Sequence, residues 1–140
     1  MGCDIYLHTE IKLNNRWYHY SYPRPHRNYK LFGRMAGVRD TSVQPIAAPR
    51  GIPDDATEVT KYHCDVLCEA DGHHHSHLTA EEIRDLAEWA KEQEWYPSKE
   101  DWMLDTFGFL MGLGGFDNFA RLPQYRGPIQ DVRFVFWFMG

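Results

Sequence analysis

The stretch formed by residues 131–138 constrains the fold most, because apolar side chains occupy both faces that it would present as a β-strand. Phe134 and Phe136 fall on one face, and Val135 and Trp137 fall on the other. Successive side chains of a strand point to opposite faces, and strands that are buried on both faces read as nearly continuous apolar runs. The sequence therefore predicts a central strand at this end of the chain.

A second strand pattern lies at the start of the sequence, where residues 3–13 alternate between apolar and polar side chains. Asn14 and Asn15 form a turn signal, and residues 16–20 read as the returning strand. The polar face of the first strand carries Asp4 and His8, together with a tyrosine between them. The pattern predicts an N-terminal β-hairpin with one polar face.

Two helices carry clear start signals. Asn28 can cap a helix that Gly37 ends, since asparagine favours the first cap and glycine the last. Thr79 and Glu82 have the spacing of a capping box, which predicts a helix over residues 80–94.

The remaining segments give weaker signals. A shorter helix is expected to begin at Ser98, and residues 107–119 read as a loop with aromatic side chains. Residues 40–57 contain three prolines and read as a long loop, whereas residues 58–69 fit no single pattern.

Strands at both ends with helices between them indicate an α+β fold. We expect a single compact domain over residues 1–140, with a mostly antiparallel sheet, an N-terminal hairpin, a C-terminal central strand, and two or three helices between. The sequence has no apolar run of about 18 residues, and no signal peptide is recognisable. We therefore expect a cytoplasmic protein with no membrane partner, in which the odd number of cysteines leaves free thiols.

The net charge of −5 is distributed unevenly. Residues 1–50 carry a charge of +5, residues 51–105 carry −11, and residues 106–140 carry +1. Duplex nucleic acid is therefore not an expected partner for the whole surface. A local basic site for a small anion remains compatible with this distribution.

Arginine and aromatic residues cluster between positions 22 and 50 and predict an anion site. Arginine binds phosphate and carboxylate oxygens in pairs, and neighbouring aromatic rings can stack on a base. The alternative is that these arginines pair with the acidic middle of the chain. Asp54 can accept hydrogen bonds from ribose hydroxyls or from the arginines, although an Asp-initiated turn explains it equally well. The predicted ligand-binding residues in this cluster are Tyr22, Arg24, Arg27, Tyr29, Arg39, Arg50 and Asp54.

A histidine-rich segment, residues 71–77, precedes the second helix and reads as a loop that can carry chemistry. In an extended chain His73 and His75 point to the same side, so they can join Asp71 as ligands for a divalent metal. Cys64 and Cys68 offer an alternative zinc site with one of these histidines. Without a metal, His73 and His75 can instead donate hydrogen bonds to a bound anion.

Asp4 is a further candidate, because it shares a strand face with His8. The candidate catalytic residues are therefore His73, His75, Asp71 and Asp4, acting as general acids and bases or as metal ligands. Asp4 can equally pair with Arg133 across the sheet.

Six strings of residues, spread over nearly the whole chain, together resemble an uncharacterised family of small proteins found mostly in phages and prophages. They lie at residues 1–5, 27–32, 35–39, 49–55, 71–82 and 131–138. His73 and His75 match the family's histidine segment, whereas His74 stands in place of a serine and His77 in place of a tryptophan. The sequence also ends in Met139 and Gly140, where the family has an acidic residue after the last aromatic.

The resemblance implies a counter-defence role, because small phage proteins often act against host immune systems. It implies a binding protein that sequesters a phosphorylated, nucleotide-like immune signal, with a homo-oligomer as an expected assembly. One alternative is a phosphodiesterase-type hydrolase, with or without a divalent metal, that cleaves such a signal. A third alternative is a direct protein inhibitor that binds a host factor through the acidic face of residues 54–105.

Overall fold

We describe a computed structural model that covers residues 2–68, 71–94 and 129–140. The helix expected at Ser98 and the aromatic loop expected at residues 107–119 lie outside these described ranges.

Four antiparallel strands form one sheet, in the order β2-β1-β4-β3. Their bounds are Asp4–Leu13 for β1, Arg16–Ser21 for β2, Gly72–Leu78 for β3 and Asp131–Met139 for β4. The predicted hairpin is therefore β1 and β2, and the predicted central strand is β4, which pairs with β1 on one side and β3 on the other. The α+β fold expected from the sequence is confirmed.

The tight turn between β1 and β2 depends on two asparagines. Asn14 and Asn15 have φ angles of 51° and 63°, in the left-handed region. Two-residue hairpin turns whose twist matches that of the strands need positive φ at both positions, and asparagine tolerates it.

Within the described residues, three helices lie between the hairpin and β4. Their bounds are Tyr29–Ala36 for α1, Glu58–Tyr62 for α2 and Ala80–Lys91 for α3. The helix α2 continues directly into a π-helical turn, His63–Leu67, within residues 58–69, which fitted no single sequence pattern. The part of the chain described here contains no helix that combines the length and the apolar character needed to span a membrane.

The predicted caps explain where α1 and α3 begin and end. The side chain of Asn28 accepts a hydrogen bond from the backbone nitrogen of Leu31, and Gly37 ends α1 with a φ of 73°. Thr79 and Glu82 form the complete capping box at the start of α3.

The two faces of the sheet are covered differently. One face carries the apolar core, where α1 and α3 pack on side chains such as Leu7, Phe136 and Phe138. The other face carries Tyr6, His8 and Trp137, and residues of α2 and its π-helical turn lie against it. We call this second surface the polar face.

A buried ion pair joins the central strands to α2. Glu10 is fully buried and lies opposite Arg133, whose nitrogens contact Glu10 Oε1 at 2.8 Å. The other carboxylate oxygen accepts hydrogen bonds from the backbone and hydroxyl of Thr57 and from the hydroxyl of Thr60. Arg133 also binds Asp55, at 2.8 Å, so both ends of the pair reach the start of α2. The alternative pairing of Arg133 with Asp4 is therefore wrong.

Replacing Arg133 with methionine is expected to destabilise the protein by about 3–5 kcal/mol, because it leaves Glu10 charged and buried without its partner. The measurement is urea unfolding at pH 7. The matched control is Lys91→Met, which removes an exposed ion pair with Glu88 and should change the free energy of unfolding by no more than about 0.5 kcal/mol. Equal effects of the two substitutions would show that the buried pair does not stabilise the fold.

Candidate functional site

Four flat rings stack in a row across the polar face, one from each strand or from the residue that follows it. His75 of β3 stacks on Trp137 of β4 with ring centres 5.9 Å apart, and Trp137 stacks on His8 of β1 at 5.5 Å. His8 in turn stacks on Tyr22, just after β2, at 4.7 Å. The planes are inclined by only 20–22°. We call these four rings the ring row; neighbouring strands lie about 4.8 Å apart, which sets the spacing.

His63, the first residue of the π-helical turn, stands edge-on above the ring row. Its ring is nearly perpendicular to those of His8, Tyr22 and Trp137, with centres 5.0–5.1 Å away. A π-helical turn inserted after an α-helix is often found at a functional site. Here it places one imidazole directly over the sheet.

His8 uses both ring nitrogens to bind other histidines. Its Nδ1 lies 2.8 Å from Nε2 of His19, and its Nε2 lies 2.7 Å from Nδ1 of His63. The faces of the His8 ring are covered by Trp137 and Tyr22, so only the nitrogens at its edge remain for hydrogen bonds. We call His8, His19 and His63 the histidine trio.

A cavity of about 290 Å³ opens beside the trio. Its walls are mainly flat rings, contributed by three histidines and two tyrosines, and its lining is predominantly apolar. The lining residues are His8, His19, Tyr22, Val59, Tyr62, His63 and Leu67. We call it the histidine cavity.

Burial keeps the trio uncharged at neutral pH. Burial, together with the smaller effects of the neighbouring His19 and His63, lowers the pKa of His8 to about 3. Burial also lowers the pKa of His19, although the charge of Glu10 opposes this effect. At His63, burial and the positive charge of Arg24 both lower the pKa. The trio therefore presents neutral imidazoles, each with one donor and one acceptor nitrogen.

Arg24 is the predicted arginine that lies nearest to this site. Its guanidinium carbon is 5.8 Å from the centre of the Tyr22 ring, and the side chain is exposed. Among the described residues it forms no ion pair with a carboxylate. Burial raises the pKa of Tyr22 to about 12, so its hydroxyl stays protonated. A positive charge thus lies beside a cavity lined by neutral rings.

The histidine-rich segment is a strand, not a loop, and it separates the two histidines that were expected to act together. His73 lies opposite Phe138, which is on the core face, whereas His75 stacks on Trp137 on the polar face. The cause is a bulge between His73 and Ser76, where His74 has a φ of 53°. Gly72 leaves room for His75, because a side chain there would lie 3.0 Å from its Nε2. The prediction that His73 and His75 share one side is therefore wrong.

The predicted arginines do not converge. Arg27 forms a two-bond ion pair with Asp4, at 2.7 and 3.1 Å, which lowers the pKa of that carboxyl. Arg50 binds Glu82 and the carbonyl of His77 at the outer edge of β3. Arg50 therefore matches the alternative in which arginines pair with the acidic middle of the chain, whereas Arg27 pairs with a carboxylate of β1.

Tyr29 and Arg39 line a different cavity, of about 450 Å³, at the end of α1. Arg39 lies over the Tyr29 ring, 5.4 Å from its centre. Asp40 also lines this cavity, and hydrogen bonds from Ser42 lower the pKa of its carboxyl. Its negative charge disfavours an anion there. Asp54 and Asp71 lie exposed in turns, and neither lines the histidine cavity.

The described ranges contain no group of three or more His, Cys, Asp or Glu side chains arranged to hold a metal ion. In the histidine trio the nitrogens face one another in pairs, so they do not converge on one point. Cys3, Cys64 and Cys68 are free thiols. A metal site built from His73, His75 and Asp71, or from the cysteines, has no geometric support.

The sequence indicated part of the site and missed the rest. Of the predicted site residues, the structure brings Tyr22, Arg24 and His75 to the polar face near the trio. His8 was placed on the correct strand face by its alternation. His19 and Trp137 had the same signal in β2 and β4, whereas His63 lies in a segment that gave no pattern.

Comparison with protein-family models, with curated proteins and with solved structures finds no match for this chain. The geometry of the site is therefore the basis for its function.

The free energy of unfolding should decrease as the pH falls from 7 to 5. His8 has a pKa of about 3 in the folded protein and about 6.5 when unfolded, so the unfolded chain binds more protons in this window. Stability is fully present above pH 6.5 and is lost towards pH 3, by at most about 1.4 kcal/mol per pH unit for each such histidine. Urea unfolding at pH 7, 6 and 5 measures it.

The control compares two single-site variants in the same titration. His8→Phe should flatten the dependence, because the buried imidazole is gone, whereas His26→Gln, at an exposed position, should keep it. A pH dependence that survives unchanged in His8→Phe would contradict the assignment.

Proposed function

We propose that this protein binds a small, phosphorylated, nucleotide-like ligand in the histidine cavity. The observation that carries the proposal is the combination of ring-lined walls, neutral imidazoles and the exposed cation of Arg24 at one site. Aromatic walls stack on a base, and arginine binds phosphate oxygens. The cavity volume lies just below the range of ordinary ligand sites, which begins at about 300 Å³. A ligand that inserts one ring system and leaves its phosphate at Arg24 fits these dimensions.

The same features support sequestration without turnover. The resemblance to small phage proteins supports a role in which a host immune signalling nucleotide is removed by binding, in the cytoplasm of an infected cell. Binding needs only complementary contacts, and the site offers stacking, hydrogen bonds and one positive charge. The predicted homo-oligomer stays a prediction; Val59, Tyr62 and Leu67 present exposed apolar surface beside the cavity.

Cleavage of the same kind of ligand is the second candidate. The hydrogen-bonded imidazoles of the trio favour it, since histidine is the commonest general acid or base. This version uses the trio as its acid–base groups.

The proposal is tested by incubating the protein with cyclic nucleotides and ADP-ribose-derived signals, and by chromatography of the free ligand before and after heating. We expect one ligand to disappear and to return intact when the protein is denatured. A ligand that returns as a new species identifies a hydrolase, and parallel samples with EDTA show whether that reaction needs a metal.

Arg24→Ala should weaken the binding of that ligand by about tenfold or more, because a charge-assisted hydrogen bond contributes about 1.5–3 kcal/mol. The matched control is Arg84→Ala, which removes an exposed arginine of α3 on the core side of the sheet. Equal losses in both variants would contradict the proposed phosphate contact. If no ligand of the panel is depleted, nucleotide binding is wrong and a protein partner becomes the leading hypothesis.

A further inference from the structure

The central imidazole of the histidine trio forces its two neighbours to act together. His8 is only 2% exposed, and both of its nitrogens are engaged by other imidazoles. A neutral imidazole has one N–H donor and one bare acceptor nitrogen. If His8 donates to His19 it must accept from His63, and if it donates to His63 it must accept from His19.

The trio therefore has two neutral arrangements, which differ in the direction of both N–H···N hydrogen bonds. In one, His63 donates from Nδ1, His8 donates from Nδ1, and the outer nitrogen of His19 carries the remaining proton. In the other, every hydrogen bond is reversed and the outer nitrogen of His63 carries it. The two outer nitrogens, Nδ1 of His19 and Nε2 of His63, thus always have opposite roles as donor and acceptor.

The same geometry limits how many protons the trio can gain. Each of the two N···N contacts, at 2.7 and 2.8 Å, holds one proton. One additional proton fills the vacant outer nitrogen and leaves both contacts intact. A second additional proton would place two N–H groups face to face in one contact and break it.

We propose that His19, His8 and His63 form a proton relay that takes up a single proton and makes either end of the trio an acid or a base. A proton that arrives on the outer nitrogen of His19 moves one proton across each N···N contact. The outer nitrogen of His63 then releases a proton, and no other bond forms or breaks. His8 is the positioning residue, and His63 and His19 are the acid–base groups of the histidine cavity.

The charged and titratable groups around the trio do not hold the added proton on one imidazole. The neighbours that act electrostatically on the histidine trio or on the ring row come from four parts of the chain. They are Glu10 and Tyr6 from β1, Tyr22 and Arg24 after β2, Asp65 and Cys68 from the π-helical turn and its end, and His73 and His75 from β3. From β4, Trp137 packs on the trio without a titratable group. Among the described residues, no carboxylate is hydrogen-bonded to a trio imidazole. No contact of this kind therefore fixes the proton on one ring.

Two charges bias the added proton towards His19, and a bound anion would weaken this bias. Glu10 favours the charged form of His19, whereas Arg24 disfavours the charged form of His63. A phosphate at Arg24 would cancel that positive charge and draw the added proton towards His63. This coupling to the ligand rests on the proposed function, whereas the relay itself does not.

The relay is tested on the whole, ligand-free protein by nitrogen NMR of the imidazole rings between pH 7 and pH 3. We expect His19 and His63 to titrate with one common midpoint and to gain one proton between them. In His8→Phe they should titrate independently, with midpoints that differ from the common value by about one unit. His26→Gln, at an exposed histidine, should leave the common midpoint unchanged. Separate midpoints in the wild-type protein that His8→Phe does not move would overturn the relay.

Two further variants keep the test decisive if His8→Phe does not fold. His19→Ala, on the edge strand β2, should shift the midpoint of His63 by about one unit, through His8. Arg24→Gln should raise the trio midpoint, whereas Arg84→Gln should not. A His63 midpoint that ignores the loss of His19 overturns the relay. If the NMR shows coupling but no nucleotide is depleted, the relay stands and the proposed ligand is wrong.

Discussion

The polar face of this protein depends on one buried carboxylate. Glu10 is fully buried, and a charge in that position is tolerated only when it is completely paired and hydrogen-bonded. Arg133 supplies the opposite charge from the neighbouring strand, and Thr57 and Thr60 supply the remaining hydrogen bonds from the start of α2. These hydrogen bonds to the buried carboxylate fix α2 to the sheet. Because α2 continues directly into the π-helical turn, the same contacts set where His63 stands.

The two faces of the sheet carry different kinds of side chain. Its core face is filled by aliphatic and phenylalanine side chains that pack against α1 and α3, whereas its polar face presents rings with nitrogen and oxygen atoms. On that face, stacking contacts hold the flat sides of the His8 ring and hydrogen bonds hold its edge. Trp137 and Tyr22 cover its two flat sides, and His19 and His63 meet its edge. An imidazole held in this way has little freedom to rotate, so its nitrogens stay aimed at their partners.

The sequence predicted those parts of the fold that local rules decide. The Asn14–Asn15 turn, the caps at Asn28 and Thr79, and the doubly apolar strand β4 each depend on nearby residues, and the structure has them where the patterns placed them. The site was harder to predict because long-range contacts assemble it. His63 reaches His8 through the buried pair of Glu10 and Arg133, which no local pattern encodes. The arginines between positions 24 and 50 are close in sequence, yet Arg27 and Arg50 are drawn to separate carboxylates.

The bulge in β3 has a consequence for how related chains should be compared. Between His73 and Ser76 the strand holds one residue more than its partner β4, and this extra residue puts His73 and His75 on opposite faces. The length of the tract therefore decides which of its residues share a face. A chain in which a serine replaces His74 would keep the same facing, whereas a chain without the extra residue would still place one residue opposite Trp137 but would let residues two positions apart share a face again. Insertions and deletions in this tract thus change which of its histidines share a face, and the number of histidines does not reveal this.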